Sequence, residues 1–227
     1  LSKKTMQALR ARLGWLVLTG AVIVLLAGTI LAVWASRDLP DPDRLTDRKV
    51  AQSTKIYDRT GGHLLYEIFA DQKRTIVTLD KIPQDLINGV IATEDAEFYQ
   101  HKGIQWKSFI RAAFYGVFTS KRAGGTSTLT QQLVKNAILT TERSYIRKLK
   151  EVILSIRLEQ KYSKDQILQM YFNEIPYGST NYGAEAAAQS YFGKHIWELN
   201  LQESATLAGL PQAPTYYLNN PDALKQR

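Results

Sequence analysis

The sequence predicts a mostly α-helical domain preceded by one membrane-spanning helix and a short β-hairpin. Three observations carry that prediction: an uncharged run from Leu13 to Ala35, two β-prone runs around a glycine turn at Gly61-Gly62, and helical periodicity that dominates from Pro83 onward. At 227 residues there is room for one ordinary domain with accessory segments, and 44% hydrophobic against 22% charged residues describes a chain that folds.

Leu13–Ala35 contains no charged residue, and at about 1.5 Å per residue it covers the roughly 30 Å hydrocarbon core of a bilayer. Trp15 and Trp34 sit near its two ends, where amphipathic rings favour the headgroup level. Lys3, Lys4, Arg10 and Arg12 precede the run, whereas Arg37, Asp38, Asp41 and Asp43 mix signs after it. The positive-inside rule therefore leaves residues 1–12 in the cytoplasm, makes 13–35 a single-pass span and puts everything after it outside the cytoplasmic membrane. A cleaved signal peptide, with Val33 and Ala35 as its small residues, is the alternative, but the run exceeds a typical signal core. Residues 36–80 divide into a linker, Asp38 to Lys49 with Pro40 and Pro42, and a hairpin in which Thr54–Tyr57 and His63–Phe69 flank Asp58-Arg59-Thr60-Gly61-Gly62. The remaining domain is 81–227. Within it Ser163-Lys164-Asp165-Gln166 and Asn200-Leu201-Gln202-Glu203 have the spacing of capping boxes, and Gly193 reads as a helix stop.

A formal charge of +8, from 29 Lys+Arg against 21 Asp+Glu, suits an anionic partner: nucleic acid, phosphate or acidic lipid. The absence of cysteine removes disulfides, thiol nucleophiles and thiolate-bound zinc. His63, His101 and His195 are too scattered to spell a zinc motif, so a metal here takes oxygen ligands.

The helix beginning near Pro83 carries an apolar stripe of Ile87, Ile91 and Phe98, and Glu94 falls on it. Its carboxylate is expected to face the interior, where desolvation raises a carboxyl pKa toward that of a base working near neutral pH; a buried glutamate satisfied by some donor, or a helix that ends early and exposes it, has the same pattern. Gly124-Gly125-Thr126-Ser127-Thr128 leads into a helical pattern over Leu129–Leu139, on which Ser127, Gln131 and Lys135 share a face. Backbone N–H groups at such a helix start, with a lysine two turns on, suit a phosphate, although Gly before a helix is common and such a face is usually only solvated. From Arg143 to Leu158, Ile146, Leu149, Val152, Ile153 and Ile156 take one side of a helix and Arg143, Arg147, Lys148 and Glu151 the other. Glu151 is thus flanked by cations and expected to stay ionised; an ordinary ion-paired surface has the same pattern. Two carboxyls in opposite environments suit divided catalytic roles.

In order along the chain these segments resemble the signature motifs of glycosyltransferase family 51, the peptidoglycan glycosyltransferase domain of class A penicillin-binding proteins. The resemblance is carried by Glu94-Asp95-Ala96-Glu97-Phe98-Tyr99-Gln100-His101-Lys102-Gly103, then by Gly125-Thr126-Ser127-Thr128-Leu129-Thr130-Gln131-Gln132 continuing to Lys135-Asn136. Arg147-Lys148-Leu149-Lys150-Glu151 and Lys164-Asp165-Gln166-Ile167-Leu168-Gln169-Met170-Tyr171-Phe172-Asn173 complete it. Gln169 and Phe172 stand where many members have Glu and Leu. A further Arg-rich segment follows in the family, with Arg227 at its expected start, so this C-terminal motif is read as truncated. The resemblance implies a lysozyme-like fold and a polymerase that joins the growing lipid-linked glycan to lipid II by an inverting β-1,4 transfer. By position Glu94 matches the general base, and Glu151 the second essential glutamate, which assists pyrophosphate departure, with a divalent cation, Mg²⁺ or Mn²⁺, as candidate cofactor. Lys135, Arg147 and Lys148 match the cations that hold the pyrophosphate, and Ser127 and Gln131 line the cleft. The anionic partner is then lipid II rather than nucleic acid, with moenomycin-type inhibitors, the bacterial inner membrane and other cell-wall synthesis proteins as further expected partners. A glycan hydrolase and a decayed scaffold are the competing readings; the basic cluster argues against the first and the intact glutamates against the second. No Ser-x-x-Lys, Ser-Asp-Asn or Lys-Thr-Gly occurs, so these residues hold no penicillin-binding transpeptidase.

Overall fold

The structure, a computed structural model, describes residues 3–36, 39–40, 52–69, 72–108, 127–139 and 145–227. Most of the expected linker, the glycines Gly124 and Gly125 with Thr126, and Arg143 lie outside the described residues.

The fold is mostly helical with small sheets. Helix α1 runs over Lys3–Ser36, 34 residues in all. It meets the helical body at its C-terminal end, where Ala35 is buried and Leu39 packs on the core. Among the described residues no helix is long and apolar enough to cross a membrane; the side chains of Leu13, Val17, Ala21, Val24, Leu25, Leu31 and Ala32 in α1 lie outside that description. Strands β1 (Thr54–Tyr57) and β2 (Leu64–Ile68) pair antiparallel, Thr54 opposite Ile68 and Ile56 opposite Tyr66. Asp58 closes the turn by accepting from the N–H groups of Gly62 and His63 at 3.0 and 3.2 Å. A second sheet has the order β3-β5-β4: β3 (Lys73–Arg74) lies parallel to β5 (Asn181–Tyr182), which is antiparallel to β4 (Pro176–Gly178).

The helical body is α2 (Gln84–Glu94), α3 (Leu129–Ala137), α4 (Tyr145–Lys161), α5 (Lys164–Glu174), α6 (Ala184–Phe192), α7 (Leu201–Gly209) and the short α8 (Pro214–Asn219) and α9 (Pro221–Lys225). Their apolar faces converge on one core. Leu86 and Val90 of α2, Leu129 and Leu133 of α3, Leu154 and Leu158 of α4, Ile167 and Tyr171 of α5 and Leu207 of α7 are fully buried. Each such aliphatic side chain contributes about 1.5–3 kcal/mol relative to exposure. Three ends follow the local chemistry read from the sequence. Ser163 and Gln166 bond reciprocally at the start of α5, Asn200 and Glu203 do so at the start of α7, and Gly193 ends α6 in the left-handed region at φ 65°.

One tether fixes how the sheet meets the helices. Asn173 accepts from the Val77 N–H at 2.9 Å and donates to the Val77 carbonyl at 2.8 Å, so its amide takes the place of a neighbouring strand. Next to it the buried Arg74 pairs with Glu174.

Candidate active site

Glu94 is the last residue of α2, and the helix ends there for a visible reason. Asp95 turns out of the helix at φ −159° and spends its buried carboxylate on three donors: the Leu129 N–H at 3.0 Å, Gln105 Nε2 at 3.1 Å and His101 Nε2 at 2.8 Å. Leu129 is the first residue of α3, so this carboxylate accepts one of that helix's otherwise unpaired N–H groups and pins the end of α2 to the start of α3. Phe98, the third member of the predicted stripe, lies past the helix end and is fully buried beneath the turn.

The turn returns through Gly103, whose φ is 88° and whose carbonyl accepts from Thr128 Oγ1 at 2.8 Å. A Cβ at Gly103 would stand 2.8 Å from the Ser155 carbonyl oxygen on α4. Gly103→Ala is therefore strained twice over, by backbone and by contact. It is expected to cost about 1–3 kcal/mol of stability, read as a lowered melting temperature by circular dichroism. An unchanged melting temperature would show that the turn tolerates the methyl group.

The Glu94 side chain is only 5% exposed. Its two oxygens have separate partners: Gln132 Nε2 donates to Oε2 at 2.7 Å, and the Arg227 guanidinium pairs with Oε1. The interior-facing position matches the sequence expectation, but the surroundings are not a bare apolar wall. Arg227 is itself held by Gln212 and by Tyr217 Oη at 3.3 Å, and lies over the Tyr217 ring.

A cavity of about 350 Å³ opens beside this carboxylate, lined by Glu94, Ser127, Gln132, Lys135 and Arg227 together with prolines 176, 211 and 214. Ser127 joins it to the second cluster. Its hydroxyl accepts from Lys148 Nζ at 2.9 Å, and the same ammonium pairs with Glu151. Glu151 is 2% exposed on α4, and Arg147 reaches to 4.0 Å from its other oxygen. The structure thus brings Glu94, Ser127 and Lys135 to one cavity and Arg147, Lys148 and Glu151 to its Ser127 side.

Gln131 is placed differently from the expectation. Its side chain accepts from the Thr128 N–H at 3.1 Å while its own N–H donates to Thr128 Oγ1 at 3.2 Å, closing a capping box. At 2% exposure the residue is spent on the helix end, and Gln132 faces the cavity instead. Sequence reasoning also missed Tyr171, fully buried on α5, whose hydroxyl donates to Gln132 Oε1 at 3.3 Å. Burial and the Glu94 charge push the Tyr171 phenol well above its ordinary pKa, so it stays a protonated donor. A larger groove of about 900 Å³ runs along Leu79–Gln84, Tyr99 and Trp197 and contains none of the predicted site residues.

A family model described as transglycosylase matches residues 61–227. Penicillin-binding protein 1A of Aquifex aeolicus is 45% identical over 199 residues, 87% of this chain and 27% of that protein. Penicillin-binding protein 1A of Escherichia coli is 42% identical over 205 residues, 89% of this chain and 24% of that protein. The chain therefore spans about a quarter of the length of these relatives. Among solved structures, penicillin-binding protein 1A from Haemophilus influenzae aligns over 77% of this chain and 16% of its own, at 26% identity and a TM-score of 0.39.

Proposed function

The chain belongs to the transglycosylase family, and on that premise we propose that it is a peptidoglycan glycan-chain polymerase, transferring the growing lipid-linked glycan onto lipid II. Glu94 takes the proton of the acceptor sugar's 4-hydroxyl. The oxygen attacks the donor's anomeric carbon opposite the leaving group, and a β-1,4 bond forms with inversion. The bond from that carbon to undecaprenyl pyrophosphate breaks with its electron pair going to the phosphate oxygen, whose charge Lys135, Arg147 and Lys148 receive. Glu151 holds the Lys148 ammonium at the cavity edge. The observation that carries this reading is a proton acceptor and cations at one cavity, Glu94 and Lys135 on its walls and Lys148 bonded to its Ser127.

Mg²⁺ or Mn²⁺ enters the proposal as a partner of the pyrophosphate. Among the described residues no three acidic or histidine side chains gather into a metal cage, and Glu151 is already engaged by Lys148. The described residues form no cage of their own for a resident ion, and no step above runs through one. The uncharged run within α1 supports a single-pass anchor with the catalytic domain on the outer face of the cytoplasmic membrane, because a bilayer-tethered substrate is best met at the same surface. Moenomycin-type phosphoglycolipids, on this reading, compete for the same cations, and other cell-wall synthesis proteins are its neighbours.

Purified in detergent and given labelled lipid II with Mg²⁺ or Mn²⁺, the chain is expected to yield polymeric glycan on a separating gel. Shortening of preformed glycan would replace this reading with the hydrolase, and neither activity in a chain extended through the Arg-rich C-terminal motif would favour the scaffold.

A further inference from the structure

An amide side chain has two ends of nearly equal shape and opposite polarity. Only one end of Gln132 suits Glu94: its N–H donates to the carboxylate, whereas its oxygen would meet another acceptor. The acceptor-only carboxylate selects that end, and the far side of the amide secures it. There the Tyr171 hydroxyl donates to Gln132 Oε1 at 3.3 Å, leaving Nε2 to reach Glu94 at 2.7 Å. Tyr171 has no freedom to withdraw. It is fully buried on α5, its ring set edge-on to Phe172 at 5.9 Å. The Gln132 backbone is fixed in α3, which packs on α5. With Arg227 on Oε1, the Glu94 carboxylate is held at both oxygens, and its plane is set by groups on separate elements.

We infer that Gln132 and Tyr171 are positioning residues for the polymerisation reaction, Tyr171 fixing the orientation of the Gln132 amide and Gln132 aiming the Glu94 carboxylate into the cavity. This rests on the proposed base role of Glu94 and extends it to two residues outside the expected site. The relay predicts dependence: what Tyr171 contributes to turnover passes through Gln132.

A neighbouring phenol supplies the control. Tyr177 is also fully buried, and Glu94 adds to burial in raising its proton affinity, yet its hydroxyl has no hydrogen-bond partner among the described residues. Deleting that hydroxyl breaks no bond among the described residues. Tyr177→Phe is therefore expected to leave turnover unchanged, so that any effect of Tyr171→Phe reports the relay rather than the loss of a buried hydroxyl.

The experiment measures kcat and KM for lipid II, with melting temperature, for the full chain and for Tyr171→Phe, Gln132→Leu, their double variant and Tyr177→Phe. Tyr171→Phe is expected to lower kcat by up to about tenfold, the upper end of what one hydrogen bond contributes, and to leave KM within about twofold. Gln132→Leu should lower kcat at least as far. Adding Tyr171→Phe to it should cost nothing more, the non-additivity of residues acting through one another. If Gln132→Leu does not fold, Gln132→Met takes its place in the cycle. Additive losses, a change confined to melting temperature, or an equal loss in Tyr177→Phe would overturn the relay while leaving the polymerase reading intact. A wild-type chain that makes no glycan overturns both.

Discussion

Glu94→Gln is expected to lower the polymerisation rate by about 10²–10⁴-fold, the range that general base catalysis contributes. The substitution keeps volume and shape and removes only the capacity to take a proton. Its surroundings determine how far the fold is disturbed. A glutamine at position 94 still offers an amide oxygen to Gln132 Nε2, so that contact survives. Its amide nitrogen, however, cannot pair with the Arg227 guanidinium that now meets Oε1. Arg227 is not stranded by this loss, because Gln212 and Tyr217 also hold it. The melting temperature is therefore expected to move by only a few degrees while turnover collapses. Gel analysis of labelled glycan beside thermal unfolding of the same preparation checks both halves. Near wild-type polymerisation would remove Glu94 from the mechanism.

The same residue shows how far the sequence could be read. Spacing put Glu94 on an apolar stripe, and its side chain is in fact nearly buried at the end of α2. What spacing could not supply was its partners. Gln132 lies 38 residues away and Arg227 133 residues away, and no periodic pattern within one helix reports contacts at such separations. Gln131 is the instructive case. Consecutive helix positions differ by about 100°, so choosing Gln131 over Gln132 amounted to choosing a face. The deciding signal was local and legible: Thr128 followed three residues later by Gln131 is a capping-box spacing, which commits that side chain to the helix start. The same chemistry was read at Ser163 and Asn200, where it describes the helix starts. Tyr171 was visible only as part of a motif. Its buried hydroxyl acquires meaning from α3 packing on α5, which is tertiary information. The clustering of Ser127 with Lys148 and Glu151 has both kinds of origin. Lys148 and Glu151 are three apart on one helix, whereas Ser127 reaches them from before another.

That clustering separates the two basic residues and yields the second prediction. Lys148 touches both Ser127 and Glu151, while Arg147 stands 4.0 Å from Glu151. The Lys148 side chain is 42% exposed although its ammonium is bonded, so it lies where an incoming pyrophosphate can reach it. Losing a cation aimed at a phosphate removes a charge-assisted contact of about 1.5–3 kcal/mol, roughly ten- to a hundredfold in affinity. Lys148→Ala and Arg147→Ala are each expected to weaken binding of pyrophosphate-bearing substrate and of moenomycin on that scale, measured by titration calorimetry. Lys148→Ala should also lower the melting temperature, because Glu151 is almost wholly buried and would keep, among the described residues, only the more distant Arg147. Adding Glu151→Gln to Lys148→Ala removes the stranded charge, so stability should return in the double variant while affinity does not. Recovery of both together would make the cluster a structural ion pair. Unchanged moenomycin affinity in both alanine variants would mean that these cations face solvent, and the pyrophosphate would then have to be held elsewhere.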